Sequence, residues 1–136
     1  MKKAAIACML VLSLALMTFG CAGEGGVITM QDRVFIHQLE NLMANIHRYL
    51  GYTVRVEGMF YHIDGYHAIV RLAPSCCGEA AMEGLVGFWL ELDDMEPLPH
   101  DTWVHISGEL GLDEYGAVVR VTDMEERPRG QEFVSQ

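Results

Sequence analysis

The sequence predicts a mainly β domain with one N-terminal helix, preceded by a segment that lies outside the fold. Apolar residues recur every three or four positions between residues 32 and 51, which is typical of a helix, and every second position in several later stretches, which is typical of strands. At the start of the chain, Lys2 and Lys3 precede an uncharged apolar run at residues 4–17. Subtracting this run from the 136 residues leaves one small domain.

The N-terminal run has the layout of a secretory signal, and we assign residues 1–20 to a signal peptide of the lipoprotein type. Cys21 follows the small residue Gly20, an arrangement that resembles the lipobox of bacterial lipoproteins, in which the cysteine is acylated. Cleavage after Ala22 and an uncleaved N-terminal anchor remain as alternatives. All three interpretations place the domain outside the cytoplasm, and the lipobox predicts a lipid anchor at Cys21 on the extracytoplasmic face of the bacterial cell membrane.

Residues 21–30 are rich in glycine and predict a flexible tether, which leaves residues 31–136 as a single domain. Asp32 is the predicted cap of a helix that Gly51 ends. The apolar stripe of this helix consists of Phe35, Leu39, Leu42, Met43, Ile46 and Leu50. We therefore expect one helix that buries one face.

Five strands are predicted after the helix, at residues 53–61, 67–72, 85–91, 103–109 and 117–122. The first two flank the turn signal Asp64-Gly65 and form a hairpin. Glycines 58, 87 and 108 stand where strands of a closed sheet must bend. One helix with five short strands fits a small five-stranded OB-like barrel.

The charge of the predicted mature domain argues against two classes of ligand. Lys2 and Lys3 are the only lysines, so removal of the signal leaves seven arginines against nineteen acidic residues, a net charge of −12. Such a charge opposes nucleic acid and anionic lipid surfaces. We therefore expect no nucleic-acid partner.

Cys76 and Cys77 are the only cysteines in the predicted domain. A disulfide between adjacent cysteines is strained, so this pair suits a metal site for zinc or copper(I), with His62 and His67 of the preceding hairpin as further ligands. Two other interpretations stay open: a cysteine that packs as a small apolar residue, and a redox-active thiol with Arg71 as the nearest positive charge.

No catalytic motif connects the serines, histidines and carboxylates of the chain. The sequence therefore favours a non-enzymatic binding or accessory protein, with a thiol-dependent redox protein of the cell envelope as the alternative. Phe60, Phe88, Trp89 and Trp103 form either a ligand-stacking face or part of the core. The sequence does not define the oligomeric state.

Several segments together resemble the YcgQ-like proteins, which are bacterial proteins of unknown function often encoded beside predicted membrane permeases. These segments are residues 49–54 (YLGYTV), 57–60 (EGMF), 70–78 (VRLAPSCCG), 101–104 (DTWV) and 129–134 (RGQEFV). The resemblance implies an OB-like fold, a link to metal or small-solute transport, and a permease partner. It marks Cys76 and Cys77 as the site and implies no established reaction.

Overall fold

The computed structural model describes residues 25–73 and 84–134. A 3-10 turn at Asp32–Val34 leads into helix α1 (Phe35–Ala44), and helix α2 (Ile46–Tyr49) follows. The strands are β1 (Val27–Thr29), β2 (Thr53–Ile63), β3 (Tyr66–Ala73), β4 (Gly84–Glu91), β5 (Thr102–Asp113) and β6 (Gly116–Glu126). The prediction of a mainly β protein is confirmed, and each of the five predicted strands is present.

The six strands form one sheet in the order β1-β2-β3-β4-β6-β5, and β2 also pairs with β5. Strands β2 to β6 therefore close into a ring, which we call the strand ring. β4 and β6 run parallel to each other, and the other neighbours in the ring are antiparallel. The β2–β3 and β5–β6 turns connect strands that are neighbours in the ring, which keeps these turns short.

β1 lies inside the segment that the sequence analysis assigns to the tether. It pairs in parallel with β2, with Val27 opposite Thr53. The preceding glycines allow the chain to come this close, because a Cβ on Gly25 would collide with the carbonyl oxygen of Gly51. The helix therefore follows a short strand and is not the first element of the described chain.

The helical region differs from the single capped helix that the sequence predicts. It is interrupted at Asn45, whose backbone separates α1 from α2. Phe35 and Leu42 are buried, whereas Met43 and Leu50, which we expected in the buried stripe, are exposed. Asp32 does not cap α1, because its carboxylate pairs with Arg71 instead. Within residues 25–73 and 84–134, no helix is long and apolar enough to cross a membrane.

Side chains alternate between the two faces of the strand ring. The interior holds the main core, which includes Val54, Phe60, Phe88 and Val119. A second cluster, which we call the outer cluster, consists of Met59, Ala68, Val70 and Trp103, with Trp89 packed against it. Part of the sheet in the strand ring therefore has apolar side chains on its inner face and on its outer face.

Two predicted glycine positions coincide with close backbone contacts in the strand ring. A Cβ on Gly87 would collide with the carbonyl oxygen of Ile69, and one on Gly108 would collide with that of Arg120. The β5–β6 register also shifts between Ser107 and Gly108. The strands can therefore approach each other only because these positions lack a side chain.

The segment after β6 returns to the base of β3 and does not simply cover the surface with polar residues, as its composition suggests. The backbone N–H of Leu72 donates to the carbonyl oxygen of Glu132 at 2.8 Å, and the N–H of Val134 donates to the oxygen of Leu72 at 2.9 Å. Val134 is buried and belongs to the main core. Two backbone hydrogen bonds and one buried apolar residue thus attach this segment to the ring.

Candidate functional site

The most prominent concave feature of the described chain is a cleft of about 460 Å³ at one end of the strand ring. The β2–β3 turn contributes Asp64 and Tyr66, and the β5–β6 turn contributes Asp113 and Tyr115. Trp89 of β4 lies between the two turns. Most of the strand residues that line the cleft face outwards, among them Trp89, which packs with the outer cluster. Leu90 of the main core also lines the cleft, so it opens mainly on the outer face of the ring. We call it the outer cleft.

Three aromatic rings line the outer cleft. The centroid of the Tyr66 ring is 6.2 Å from that of Trp89 and 5.5 Å from that of Tyr115. The Tyr66 and Tyr115 side chains are 51% and 63% exposed, respectively, so both rings are largely open to solvent. Exposed aromatic groups in a concave site are typical of ligand-binding surfaces.

The tyrosine hydroxyls and the surrounding turns define the polar part of the outer cleft. The hydroxyl oxygens of Tyr66 and Tyr115 are 3.4 Å apart, within hydrogen-bond distance, and the Tyr66 side chain raises the pKa of Tyr115 above its ordinary value. Tyr115 therefore stays neutral at physiological pH. The carboxylate of Asp113 accepts a hydrogen bond from the Tyr115 backbone N–H at 2.8 Å, which fixes the turn that presents the ring.

One ion pair lies at the rim of the outer cleft. The Arg120 Nε donates to Glu91 Oε2 at 2.9 Å, across the parallel β4–β6 pairing that places the two residues side by side. Both side chains are about half exposed. Among the described residues, Arg120 is the one arginine that lines the outer cleft, and it is already paired, while Asp64 and Asp113 add two further carboxylates.

His62 and His67 stand opposite each other in the β2–β3 ladder, with their ring centroids 4.9 Å apart. The Nε2 of His62 donates to the carbonyl oxygen of Leu98 at 2.8 Å, which leaves Nδ1 as the unprotonated nitrogen in the neutral ring. His100 accepts a hydrogen bond from the backbone N–H of His62 through Nδ1 at 3.1 Å. Three histidines thus gather beside the β2–β3 turn.

His67 is the most enclosed of these three histidines. Its ring stacks on Phe60, and its Nδ1 is shielded from solvent without a hydrogen-bond partner in residues 25–73 and 84–134. Burial, and secondly the nearby His62, lower the pKa of His67 below its ordinary value. The neutral imidazole is therefore the favoured form at neutral pH, and this is the form that binds metals.

The predicted metal ligands fall into two groups. Cys76 and Cys77, as well as the predicted lipidation site Cys21, lie outside the described residues. Among the residues that are described, no three His, Cys, Asp or Glu side chains come together as a metal-binding group. The structure thus brings His62 and His67 together, and the metal site as a whole stays a prediction.

The redox interpretation uses Arg71 as the positive charge nearest to the thiols. In the structure, its guanidinium binds Asp32 and Glu57. Its side chain is 2% exposed and points towards the helical region, where Nη2 donates to Asp32 Oδ1 at 2.8 Å. Nη1 donates to the carbonyl oxygen of Glu57 at 2.8 Å, and the guanidinium carbon lies 4.9 Å from the Trp103 ring centroid. These contacts connect β3 to β2 just beyond the last β2–β3 pair, Met59 and Val70.

The sequence analysis names four aromatic residues as a stacking face or core, and the structure divides them. Phe60, Phe88 and Trp103 are buried, and Trp89 is the one that lines the outer cleft. Tyr66 and Tyr115 were missed, although Tyr66 follows the predicted Asp64-Gly65 turn and Tyr115 lies between the fourth and fifth predicted strands, where an aromatic side chain has little core to enter. That position next to a turn is the signal that could have found them.

Comparisons with known proteins give a family and no described activity. No curated protein matches the chain. A family model described as the DUF1980 C-terminal domain matches residues 20–134, which include every helix and strand described above and both turns of the outer cleft. The chain therefore belongs to the DUF1980 C-terminal domain family.

Proposed function

We propose that this chain is a non-enzymatic binding module built on a five-stranded OB-like barrel. The strand order β2-β3-β4-β6-β5, closed by β2–β5 and with β4 parallel to β6, supports the barrel. OB folds are five-stranded barrels that bind ligands on the face of their second and third strands, between two flanking loops. In this numbering that face belongs to β3 and β4, and the flanking loops are the β2–β3 and β5–β6 turns.

The observation that carries the proposal is the position of the outer cleft. It lies on the outer face of β3 and β4, between these two turns, and its aromatic rings supply the apolar contact area that a small ligand needs. The link to ligand binding is an argument from fold and site geometry, so it requires a direct test.

We test the binding function with backbone amide NMR of the full chain in a non-ionic detergent. Choline, 3,3-dimethylbutan-1-ol and benzyl alcohol are titrated separately. We expect the shifts caused by at least one compound to cluster at Tyr66, Trp89 and Tyr115, because these residues line the outer cleft. Tyr115→Ala should weaken that binding at least fivefold, since the ring is mostly exposed and contributes little to the fold.

Phe133→Ala is the matched control, because Phe133 is an aromatic residue that is 45% exposed and does not line the outer cleft. This variant should bind as the wild type does. If none of the three compounds shifts the amides of the outer cleft, the binding function is overturned. Equal losses in Tyr115→Ala and Phe133→Ala would also contradict it.

Metal binding through Cys76 and Cys77 is a second proposal, with His62 and His67 as further ligands. The observation in its favour is the shielded Nδ1 of His67 beside a neighbouring histidine. However, His67 and Ala73 are about 20 Å apart along an extended strand, so a shared site would require the chain after Ala73 to run back along β3 nearly fully extended. The thiols and the histidines therefore need to be tested as separate groups of ligands.

We expect the reduced full chain to take up about one equivalent of zinc or copper(I), measured by equilibrium dialysis with metal analysis. Cys76→Ser with Cys77→Ser should abolish the uptake, and unchanged uptake would exclude the thiols. His62→Gln with His67→Gln separates the two groups of ligands: loss of uptake would assign the histidines to the site, and retention would remove them from it. A thiol pKa well below its ordinary value without metal would instead favour the redox alternative.

Export, lipidation at Cys21 and association with a membrane permease complete the proposed function. They are supported by the N-terminal sequence pattern and by the resemblance to YcgQ-like proteins. Mass spectrometry of membrane-extracted protein should find a diacylglyceryl group on Cys21. A soluble product that begins at Gly23 would contradict the anchor.

A further inference from the structure

The charges around the outer cleft are unbalanced. Asp64, Glu91 and Asp113 line it together with one arginine, Arg120, which is paired with Glu91 at 2.9 Å. The outer cleft therefore carries an excess of two negative charges beside its aromatic rings.

Aromatic rings and carboxylates together are the chemistry that recognises organic cations. The face of an aromatic ring attracts a cation within about 6 Å of its centroid, and a nearby carboxylate adds Coulomb attraction. Quaternary ammonium groups gain most from this arrangement, because they are large, apolar and weakly hydrated. An anion would meet the carboxylates of Asp64 and Asp113, which form no ion pair within residues 25–73 and 84–134, and an arginine that is already paired with Glu91.

Resting on the proposed binding function, we infer that the outer cleft binds a small organic cation with an ammonium group bearing apolar substituents. Tyr66, Trp89 and Tyr115 supply the aromatic contacts, and Asp64 and Asp113 supply the charge. The volume of about 460 Å³ exceeds that of a single ammonium group, so the cleft has room for the substituents as well.

Asparagine can replace Asp64 and Asp113, and so remove their negative charges, without changing the conformation of the two turns. Asp64 has a positive φ of 50°, a conformation that asparagine adopts as readily as aspartate, so Asp64→Asn keeps the turn. Asp113 accepts from the Tyr115 backbone N–H, and the side-chain oxygen of asparagine can accept the same bond. Asp64→Asn with Asp113→Asn therefore neutralises the cleft and retains its shape.

The test compares choline with 3,3-dimethylbutan-1-ol, which has the same shape and no charge. Affinities are measured by NMR titration of the full chain in a non-ionic detergent, which contains no ammonium group. We expect choline to bind at least tenfold more tightly than the alcohol. The Asp64→Asn, Asp113→Asn variant should lose at least tenfold in choline affinity and keep its affinity for the alcohol.

Glu40→Gln with Asp123→Asn is the control, because it changes the net charge by the same amount at residues that do not line the outer cleft. It should retain choline binding within about twofold, since distant surface charges are screened. Equal affinity for choline and the alcohol at the outer cleft would overturn the inference and leave the binding function standing. Absence of shifts with every compound would overturn both, and equal losses in the two double variants would overturn the inference alone.

Discussion

Each end of the strand ring carries an ion pair between an arginine and a carboxylate, but one arginine is buried and the other is half exposed. At the end that faces the helical region, Arg71 pairs with Asp32 at 2.8 Å, and its side chain is 2% exposed. At the end that holds the outer cleft, Arg120 pairs with Glu91 at 2.9 Å, and its side chain is 51% exposed. The distances are nearly equal, so the difference between the pairs lies in burial and in further contacts.

This difference shows how an arginine–carboxylate pair serves stability at one end and forms part of the surface at the other. The buried guanidinium of Arg71 also binds the Glu57 carbonyl oxygen and lies against Phe35 and Trp103. Removing it takes a donor from the part-buried carbonyl oxygen of Glu57 and the apolar contacts from both rings, which is costly. The exposed Arg120 can exchange its partner for water at little cost.

The largest expected effect therefore comes from replacing Arg71. We expect Arg71→Met to lower the free energy of unfolding by about 3 kcal/mol, because the Glu57 carbonyl loses its donor and the packing against Trp103 changes. Arg120→Met should lower it by less than about 1 kcal/mol. Urea unfolding of both variants measures the difference. Similar losses would show that burial does not distinguish the two pairs.

Replacing the acidic partners of the two arginines should change the free energy of unfolding by less than replacing Arg71. Asp32→Asn should cost about 1 kcal/mol, since it leaves the buried Arg71 without a full counter-charge, although Asp32 itself is half exposed. Glu91→Gln should cost only about 0.3 kcal/mol. Raising the salt concentration should reduce the Glu91 effect more than the Asp32 effect. The reverse order of losses would contradict this interpretation.

The smallest expected change in the free energy of unfolding comes from the protonation of His67, which lies beside the outer cleft. Because its pKa is lowered in the folded state, the unfolded chain binds this proton more readily, so protonation favours unfolding. The free energy of unfolding should thus fall as the pH decreases from the ordinary histidine pKa of about 6.5 to the lowered one. At lower pH the His67 contribution should no longer change.

His67→Gln should flatten the stability profile in this pH window, as measured by urea unfolding at a series of pH values. His47→Gln, at an exposed position on α2, is the control and should keep the wild-type slope. The slope is the informative quantity, because the loss of the stacking contact with Phe60 lowers stability at every pH. An unchanged slope in His67→Gln would assign the pH dependence to other groups.

Local patterns were enough to predict the strands, because alternation and turn residues are properties of neighbouring positions. β1 was missed because its pairing depends on close contact between Gly25 and Gly51, which are 26 positions apart. The burial of Arg71 was missed for a similar reason, since Asp32 is 39 positions away. The sequence around an arginine in a strand does not indicate that its partner lies so far away along the chain.

The outer cleft could not be predicted as a site, although its residues stand at predicted turns. Tyr66 and Tyr115 are 49 positions apart and meet only because the ring brings both hairpin turns to one end. In contrast, the approach of His62 and His67 followed from a two-residue turn. The prediction of the metal site depends on Cys76 and Cys77, which lie outside the described residues, so it stays a prediction.

The closure of the strand ring has a consequence for folding kinetics. The β2–β5 pairing joins residues as distant as Thr53 and Glu109, so forming this seam costs the entropy of closing a long loop. Proteins dominated by such non-local strand pairs fold in milliseconds to seconds, and helical proteins of similar size fold faster. The β2–β3 and β5–β6 hairpins can form early, but the ring closes only when β5 pairs with β2. Until then, the edges of β2 and β5 are exposed to pairing with other chains.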